Sequence, residues 1–430
     1  MECDAVQKFV YRLPDKSENK NFIYNMIGSL VSAVVSVILL VVTSHVAGGN
    51  AAGIFSLAYS TAQMMYTVSF FEMRNIQVTD AKREFSFSSI EMFRILTTAV
   101  MWMFFAVFCV VQGYKGEKLA VMAALTLYMS LLSFSDLFQG NMHFNGYLSI
   151  AGRSLAGQVL LASLVFSVSL LITKNLWISV LLMALCVFLW ILLYDIPFNN
   201  NFDGLKPNFN FSVQKNIFLC ALPLFLSSFL QQYIFNAPKY AIDKALTEIE
   251  QSYYGYLVMP VFSINLLSMF VFRPKLVSLS NNWASRQLNT FKKTSAFLYL
   301  WVVAATVAVL AAGWLLGIPV LELLYAANLS DKRGIFMILL LAGGFSAAST
   351  LTLTLLTTMR KQKYSLAAYL LTFVISLFLP DLLVSNFGMK GAAVSFFIEM
   401  AVLFIAMLTV FIIVLLMAGR DNKDGSIKDL

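Results

Sequence analysis

The stretch Pro197-Phe-Asn-Asn-Asn-Phe-Asp-Gly-Leu-Lys-Pro207 interrupts an otherwise apolar chain near the midpoint of its 430 residues. Its Asn, Gly and Pro residues favour a loop. Six apolar stretches precede this loop and six follow it, and each is near the roughly 20 residues that cross about 30 Å of hydrocarbon. The composition of 59% hydrophobic and 12% charged residues, with a mean hydropathy of +0.78, is that of a membrane protein. We therefore predict an all-α polytopic membrane protein with twelve transmembrane helices.

The loop divides the chain into two predicted lobes of six helices each. The N-terminal lobe occupies residues 22–196 and the C-terminal lobe residues 215–418, with a linker at 197–214 and tails at 1–21 and 419–430. The predicted spans are 22–46, 51–71, 92–112, 118–139, 155–173, 176–195, 215–236, 252–272, 294–316, 334–358, 365–386 and 391–418.

Landmarks recur in the same order in both lobes, which indicates an internal duplication. The matching pairs are Lys20-Asn21 with Lys215-Asn216, Gly53 with Gly255, Arg74 with Arg273, Trp102 with Trp301, and Tyr147 with Tyr364. Because six is an even number, both lobes enter the membrane from the same side and form parallel repeats about an axis along the membrane normal. Transporters of this kind hold their substrate between the lobes and rock one lobe against the other.

The net charge of +8 reflects membrane topology rather than nucleic-acid binding. With the N-terminus placed in the cytoplasm, 22 of the 30 Lys and Arg residues fall in the tails, loops and helix ends on the cytoplasmic side, and 8 fall on the outer side. This bias follows the positive-inside rule. It predicts that both termini are cytoplasmic and that nucleic acid is not a partner.

Sequence signatures of catalysis and of cofactor binding are missing. The chain has no GxxxxGK[ST] loop, no HExxH and no GxSxG motif, no CxxC spacing and only two His. We therefore predict a protein that is not an enzyme and binds no metal or cofactor. A membrane-bound glycan polymerase or acyltransferase is the less favoured reading, because it requires a large outer loop or clustered His, Asp and Arg.

Glu399 is the clearest ionisable group at membrane depth. It lies eight residues into predicted span twelve, about 12 Å from the outer end of that span. A charged side chain near the centre of such a helix costs about 2.5–3.5 kcal/mol. We predict an ion-coupling site for H⁺ or Na⁺ at Glu399; the alternative is a structural hydrogen bond to another helix.

A polar face is predicted at the end of span seven. Gln232, Asn236 and Lys239 follow an i, i+4, i+7 spacing, so they share one face if the helix continues through Pro238. Amides and a lysine on one face of a membrane helix indicate a substrate cavity or a helix interface. We predict the cavity.

A second polar stripe and two arginines lie at predicted cytoplasmic helix ends. Asp136, with Gln139 and His143, lines span four, and Arg153 follows the next loop; substrate binding and simple hydration both fit this stripe. Arg74 and Arg273 occupy matching places after spans two and eight. A guanidinium pair suits a phosphate headgroup, and anchoring at the cytoplasmic surface fits these arginines equally well.

Two short runs resemble those of a known family. The run Asn236-Ala-Pro-Lys239-Tyr240-Ala-Ile-Asp243, followed by the segment at Gly255, resembles the Asn-x-Pro-[Arg/Lys]-Tyr run after the seventh span of Wzx-type polysaccharide flippases. Glu322-Leu-Leu-Tyr325 is similar to another recurring run of that family. These flippases belong to the multidrug/oligosaccharidyl-lipid/polysaccharide exporter (MOP) superfamily, and the resemblance covers nearly the whole chain.

The resemblance implies a flippase of the bacterial inner membrane that moves an undecaprenyl-diphosphate-linked oligosaccharide to the outer leaflet by alternating access. Such lipids feed O-antigen, capsule or other envelope polysaccharide biosynthesis, with a polymerase and glycosyltransferases as partners. In this family a cationic cavity is thought to hold the headgroup, and Arg74, Lys239 and Arg273 are the matching candidates. The alternative is an ion-coupled multidrug exporter of the same superfamily.

Overall fold

The computed structural model of the chain describes Tyr11, Leu13, residues 17–80 and residues 84–424, and within these ranges it contains helices and no β-strand. Most of the predicted N-terminal tail and the last six residues lie outside the described residues. The side chain of Arg273, one of the predicted site residues, lies outside the described set as well.

Fifteen α-helices account for nearly all of the described residues. In chain order they are α1 Glu18–Phe70, α2 Met73–Thr79, α3 Phe87–Gln112, α4 Gly116–Phe144, α5 Leu148–Thr173, α6 Leu176–Trp190, α7 Ile196–Asn199, α8 Phe211–Ala245, α9 Glu248–Val258, α10 Val261–Ala284, α11 Leu288–Ala312, α12 Ile318–Tyr325, α13 Arg333–Thr358, α14 Ser365–Ser376 and α15 Leu379–Asp424.

The first helix is interrupted at Gly48. A straight helix of the 53 residues of α1 would be about 80 Å long, more than twice the hydrocarbon thickness. Gly48 has φ 83° and ψ 178°, a conformation open essentially to glycine alone. Gly388 interrupts α15 in the same way, with φ 57°. The two breaks fall between predicted spans one and two and between spans eleven and twelve.

Nine helical segments of the described residues are long and apolar enough to cross a membrane. One of them contains predicted spans one and two, joined across Gly48. Predicted span eight is divided between α9 and α10 at Pro260, and span eleven is divided at Leu377–Phe378. A multi-pass helical membrane protein is therefore confirmed, whereas the count of twelve crossings and the parallel arrangement of the lobes stay predictions.

The chain divides into two compact units, and the boundary along the sequence falls between Gln232 and Tyr233, within α8. Unit 1 contains α1 to α7 and the first part of α8; unit 2 contains the rest of α8 and α9 to α15. The lobe boundaries drawn from the sequence stay a prediction.

In unit 1, α1 and α5 cross closely. A Cβ atom added to Gly152 would lie 2.5 Å from the backbone of Tyr24, and one added to Gly28 would lie 2.7 Å from the carbonyl oxygen of Gly152. Glycine at a crossing lets two membrane helices approach closely and gain van der Waals contact. This crossing holds α5 against α1 and so positions the α5 side chains that reach the site.

In unit 2, α13 packs against α10, α11 and α15. Phe291, Leu351 and Phe411 are buried in the cluster that these helices share. The outward faces of both units remain apolar: Val110 and Leu323 are each 81% exposed. Apolar side chains on the outside are expected where the surrounding solvent is lipid.

Candidate functional site

Asp136 on α4 is the centre of a buried ion-pair network in unit 1. Arg74 on α2 donates from Nη1 to Asp136 Oδ1 at 2.6 Å, and Arg94 on α3 lies with Nη2 3.5 Å from Oδ2. The Arg74 side chain is 22% exposed and that of Arg94 only 1%. Two guanidinium groups therefore share one carboxylate, one of them at the edge of the unit and one inside it.

Arg94 is held by further acceptors. Its Nη1 donates to the backbone oxygen of Ser69 at 2.8 Å and to Ser133 Oγ at 2.9 Å. Its guanidinium also lies over the ring of Phe70, 5.5 Å from the centroid. A buried cation is tolerated where it is paired and hydrogen-bonded. These contacts join α1, α3 and α4 around Arg94.

Gln139 extends the network from Asp136 towards α5. Arg74 Nη1 donates to Gln139 Oε1 at 3.3 Å, and Gln139 Nε2 donates to Ser135 Oγ at 2.9 Å and to Ser154 Oγ at 3.3 Å. The guanidinium has no acceptor atom, so the amide oxygen must face Arg74. The amide orientation is thus fixed by its charged neighbour.

Asp195 closes the network at its buried end. It is fully buried, and its two carboxylate oxygens accept hydrogen bonds from Ser135 at 2.6 Å and from Ser154 at 2.5 Å. It ends a π-helical turn, Ile191–Asp195, that joins α6 to α7. Such turns occur frequently at functional sites. Trp190 donates from Nε1 to Ser154 Oγ at 3.2 Å.

We call the set of residues joined by these contacts the N-terminal polar network. Its members are Ser69, Arg74, Arg94, Ser133, Ser135, Asp136, Gln139, Ser154, Trp190 and Asp195. Sequence reasoning selected Arg74, Asp136 and Gln139 but missed Arg94 and Asp195 as site residues. Both are ionisable residues at the ends of predicted spans, and that position was the only signal for them in the sequence.

The other two residues predicted beside this stripe lie elsewhere. Arg153 is exposed, and its guanidinium lies over the ring of Tyr24, 4.1 Å from the centroid. His143 is half-buried near the end of α4. Neither belongs to the N-terminal polar network as its contacts define it.

Glu399 on α15 is fully buried in unit 2, and neither of its carboxylate oxygens takes a hydrogen bond from the described residues. Tyr254 on α9, also fully buried, lies within electrostatic range of this carboxyl group, as does Tyr233. The hydroxyl of Tyr254 likewise has no hydrogen-bond partner among the described residues. Buried polar groups without partners are rare and call for an explanation.

The polar face predicted on span seven lies on a continuous helix. α8 runs through Pro238 to Ala245, so the i, i+4, i+7 spacing is retained. In unit 1, Gln232 Nε2 donates to Gln63 Oε1 at 3.5 Å. In unit 2, Asn236 and Lys239 are buried. Substrate binding by these residues stays a prediction.

An apolar cavity of about 460 Å³ opens between α11, α13 and α15 in unit 2. Its lining includes Tyr299, Val303, Gly344 and Phe404. A Cβ atom added to Gly344 would lie 2.5 Å from the methyl group of Thr306. Gly344 therefore lets α13 pack closely against α11, and α13 continues as a helix through Gly343-Gly344.

Among the described residues no group of three or more His, Cys, Asp or Glu side chains could hold a metal ion.

Comparisons with known proteins identify a fold. No family model matches the chain, and no curated protein matches it. Among solved structures, an inward-facing multidrug resistance MATE family transporter of the MOP superfamily has a TM-score of 0.57 at 12% identity, covering 93% of this chain and 98% of that one. An outward-facing structure of such a transporter has the same score and identity, with 96% and 98% coverage.

A MOP superfamily transporter from Pyrococcus furiosus, described as having a binding pocket of reverse polarity that suggests a different function, is similar to the same degree. Its TM-score is 0.57 at 13% identity, covering 93% of this chain and 95% of that one. At such identities the likeness shows the fold alone. The three structures therefore place the chain in the MOP-type fold and leave its substrate open.

Proposed function

We propose that the protein is an ion-coupled membrane transporter that works by alternating access. The observation that carries this proposal is the burial of Asp195, Arg94 and Glu399 in helices of an apolar chain with a MOP-type fold. Ionisable groups are expensive at membrane depth and typically mark substrate or ion pathways. Likeness to transporters in both inward-facing and outward-facing states supports alternating access by analogy of fold.

Two substrate classes fit this transporter. The first is a small cationic drug, and the comparisons favour it, because similar structures are named as multidrug resistance transporters. A buried acid such as Glu399 suits exchange of a cation for a proton or Na⁺. This reading is better supported by the structural neighbours than the flippase that the sequence resemblance implies.

The second is an undecaprenyl-diphosphate-linked oligosaccharide, and one specific observation favours it. Arg74 is partly exposed at the edge of the N-terminal polar network, next to the buried cation of Arg94. Guanidinium groups bind phosphate oxygens bidentately. An inside-negative potential would also favour outward movement of an anionic headgroup, by up to about 2.3 kcal/mol per charge per 100 mV. Arg153, Gln232, Asn236, Lys239 and Arg273 are the further proposed contacts.

One paired assay tests transport and separates the two substrates. The purified chain is reconstituted in liposomes and given either a fluorescent undecaprenyl-diphosphate sugar or ethidium, with an imposed proton or sodium gradient. A flippase exposes the lipid in the opposite leaflet and ignores ethidium; a drug exporter does the reverse. Transport of neither substrate, by protein that remains folded, would reject the proposed function.

Arg74→Gln is the variant that tests the headgroup site. It should abolish lipid transport and spare ethidium transport, because only the lipid carries a diphosphate. Arg360→Gln is the matched control, since Arg360 is an exposed arginine outside the N-terminal polar network. Equal loss in both variants would assign the effect to surface charge rather than to a binding site.

A further inference from the structure

Directed hydrogen bonds join the partly exposed Arg74 to the buried Asp195 within unit 1. Arg74 donates to Gln139, the Gln139 amide nitrogen donates to the hydroxyls of Ser135 and Ser154, and these hydroxyls donate to the two carboxylate oxygens. We propose that Asp195 is a proton-binding site whose occupancy, transmitted through Gln139, sets the affinity of Arg74 for an anionic ligand. This inference deepens the proposed function and rests on it, since Arg74 is there the headgroup contact.

We call the hydrogen-bonded chain Arg74–Gln139–Ser135/Ser154–Asp195 the relay, and its direction follows from its donors. A guanidinium only donates, so Gln139 presents its oxygen to Arg74 and its NH₂ group to the serines. Each serine oxygen then accepts an N–H and keeps its own proton for Asp195. Each donor therefore points from the guanidinium towards the carboxylate, and hydrogen bonds in such a chain polarise one another.

Adding a proton to Asp195 changes this arrangement. The protonated carboxyl donates to a serine oxygen: at Ser154, Oγ already lies within hydrogen-bond distance of Gln139 Nε2 and Trp190 Nε1, whereas Ser135 Oγ accepts from Gln139 Nε2 and has a second lone pair for the new proton. The serine that accepts it must turn its own hydrogen away from the carboxylate. The continuous order of donors from the guanidinium to Asp195 is then broken, and the polarisation that reaches Arg74 through Gln139 falls.

Charge counting gives the sign of the coupling. With Asp195 and Asp136 ionised, two carboxylates balance the guanidinium groups of Arg74 and Arg94. A proton on Asp195 leaves one net positive charge in the network, and the charges are little screened because they are buried. An anion at Arg74 should therefore bind more tightly when Asp195 is protonated. By linkage, anion binding should favour proton uptake to the same degree.

Asp195 differs from the other charged and titratable groups of the network and its surroundings, which makes it the candidate for proton exchange. Tyr194, on the same turn, interacts with Asp195 and with Arg153, and Tyr66 and His143 interact with the Arg74 end of the network, Tyr66 also with Arg94, Asp136 and Glu72. Asp203, after α7, accepts a hydrogen bond from Asn141. Asp136 is held by two guanidinium groups, and Asp203 is exposed. Asp195 alone is a fully buried carboxyl whose described partners are neutral hydroxyls.

A proton suits the site better than a metal cation. The oxygens of Ser135 and Ser154 are turned towards N–H donors of Gln139 and Trp190. A metal ion bound to these serine oxygens would lie against the N–H groups of Gln139 and Trp190, which repel a cation. Hard cations also need several oxygen ligands that are free of such donors. The carboxylate of Asp195 is thus left for a proton.

The first experimental arm tests the acid itself. Infrared spectra of the full-length protein in lipid nanodiscs are recorded across pH, and the carboxylic-acid C=O band is followed. The wild type should show a titrating band that Asp195→Asn removes and that Glu399→Gln and Asp203→Asn leave in place. If Asp195→Asn retains the whole titrating signal, Asp195 holds no exchangeable proton and the proposal is overturned.

The second arm tests the coupling with inorganic pyrophosphate as the probe. Its affinity is measured by calorimetry on either side of the midpoint of the infrared band. The wild type should bind about 5- to 150-fold more tightly on the acidic side of the midpoint than on the basic side, whereas Asp195→Asn, which is neutral at both pH values, should bind tightly on both sides. The comparison is made between variants at each pH, because pyrophosphate itself gains protons. Gln139→Leu should keep the infrared band and lose the pH dependence.

The outcomes separate this inference from the function on which it rests. Pyrophosphate binding with the same pH dependence in wild type, Gln139→Leu and Asp195→Asn would overturn the relay, even if transport is intact. Absence of pyrophosphate binding by the wild type would overturn the coupling together with the headgroup site. Transport of neither substrate would reject the proposed function, while the infrared band would still decide whether Asp195 binds a proton.

Discussion

The two units bury their carboxyl groups in opposite ways. In unit 1, Asp136 lies between Arg74 and Arg94, and both oxygens of Asp195 accept serine hydroxyls. In unit 2, the carboxyl of Glu399 is equally buried but takes no hydrogen bond from the residues that the structure describes. Unit 1 thus compensates its carboxylates with its own side chains.

This difference gives the two sites different expected behaviour. Removing one member of a buried hydrogen-bonded network leaves its partners buried without compensation, and this cost exceeds the net stabilisation that the pair contributed. Removing the charge of an uncompensated carboxyl costs little and can stabilise the protein. Substitutions in the two units should therefore affect stability unequally, and the predictions below run from the largest expected change to the smallest.

Arg94→Met should cause the largest loss of stability. It removes the cation buried between α1, α3 and α4; Ser133 Oγ keeps Ser69 as a partner, but Asp136 Oδ2 loses its contact with Arg94. Breaking a buried pair in this way costs about 3–5 kcal/mol. The free energy of unfolding, measured by denaturant titration in mild detergent, checks this expectation. Arg360→Met, at an exposed arginine, should change it by less than about 0.5 kcal/mol; similar losses in both would show that the network does not stabilise unit 1.

Gly152→Ala should cost less, about 1–3 kcal/mol, because it overpacks the crossing of α1 and α5. The added methyl group would lie 2.5 Å from backbone atoms of Tyr24. Helical backbone atoms cannot relieve this overlap by a rotamer change, as a flexible side chain could. Gly204→Ala is the matched control, since a Cβ there meets nothing within 4 Å. Thermal unfolding midpoints of the two variants give the comparison. A midpoint for Gly152→Ala equal to that of the control would mean that the two helices separate without loss.

Parts of the fold and of the N-terminal site could be predicted from the sequence, for identifiable reasons. Hydropathy alone indicates the helical membrane class, because spanning segments must satisfy their backbone groups internally. The i, i+3 spacing of Asp136 and Gln139 places them on one face of α4, where both contact Arg74. Burial of Glu399 follows from its depth in an apolar stretch.

The partners across helices could not be predicted. Arg94 and Asp195 stand at the ends of predicted spans, where a charge usually means hydration. Asp195 reaches the serines from a π-helical turn, which a search at a period of 3.6 residues does not reveal. The position of Trp190 beside Ser154 depends on Gly157, where a Cβ would come within 2.4 Å of the indole ring. Such close approaches are set by tertiary packing.

Arg74→Gln sharpens the comparison inside unit 1. Because the Arg74 side chain is 22% exposed, water can replace part of the hydrogen bonding that the guanidinium provides to the Asp136 carboxylate. Asp136 also keeps Arg94. We expect a loss of about 1 kcal/mol, clearly less than for Arg94→Met, together with loss of pyrophosphate binding. Denaturant titration and calorimetry on the same protein sample measure both quantities. Stability losses of equal size in the two arginine variants would contradict the distinction between an exposed and a buried cation.

Glu399→Gln should change stability least of all, and it tests the contrast between the units most directly. The substitution removes a charge that no described residue compensates, so the free energy of unfolding should stay close to that of the wild type or rise, because burying an unpaired charge is costly. The same chemical change in unit 1, Asp195→Asn, sets an NH₂ group against a serine hydroxyl that must donate, and should cost about 1–3 kcal/mol.

Transport measurements on Glu399→Gln complete this test. If Glu399 couples transport to an ion, the variant should insert normally and lose the dependence of transport on pH or on sodium. A destabilisation as large as that of Asp195→Asn would show that Glu399 is held by a structural partner. Ion dependence that persists unchanged in Glu399→Gln would reject the coupling role, and Asp195 of unit 1 would then be the buried carboxyl to test next.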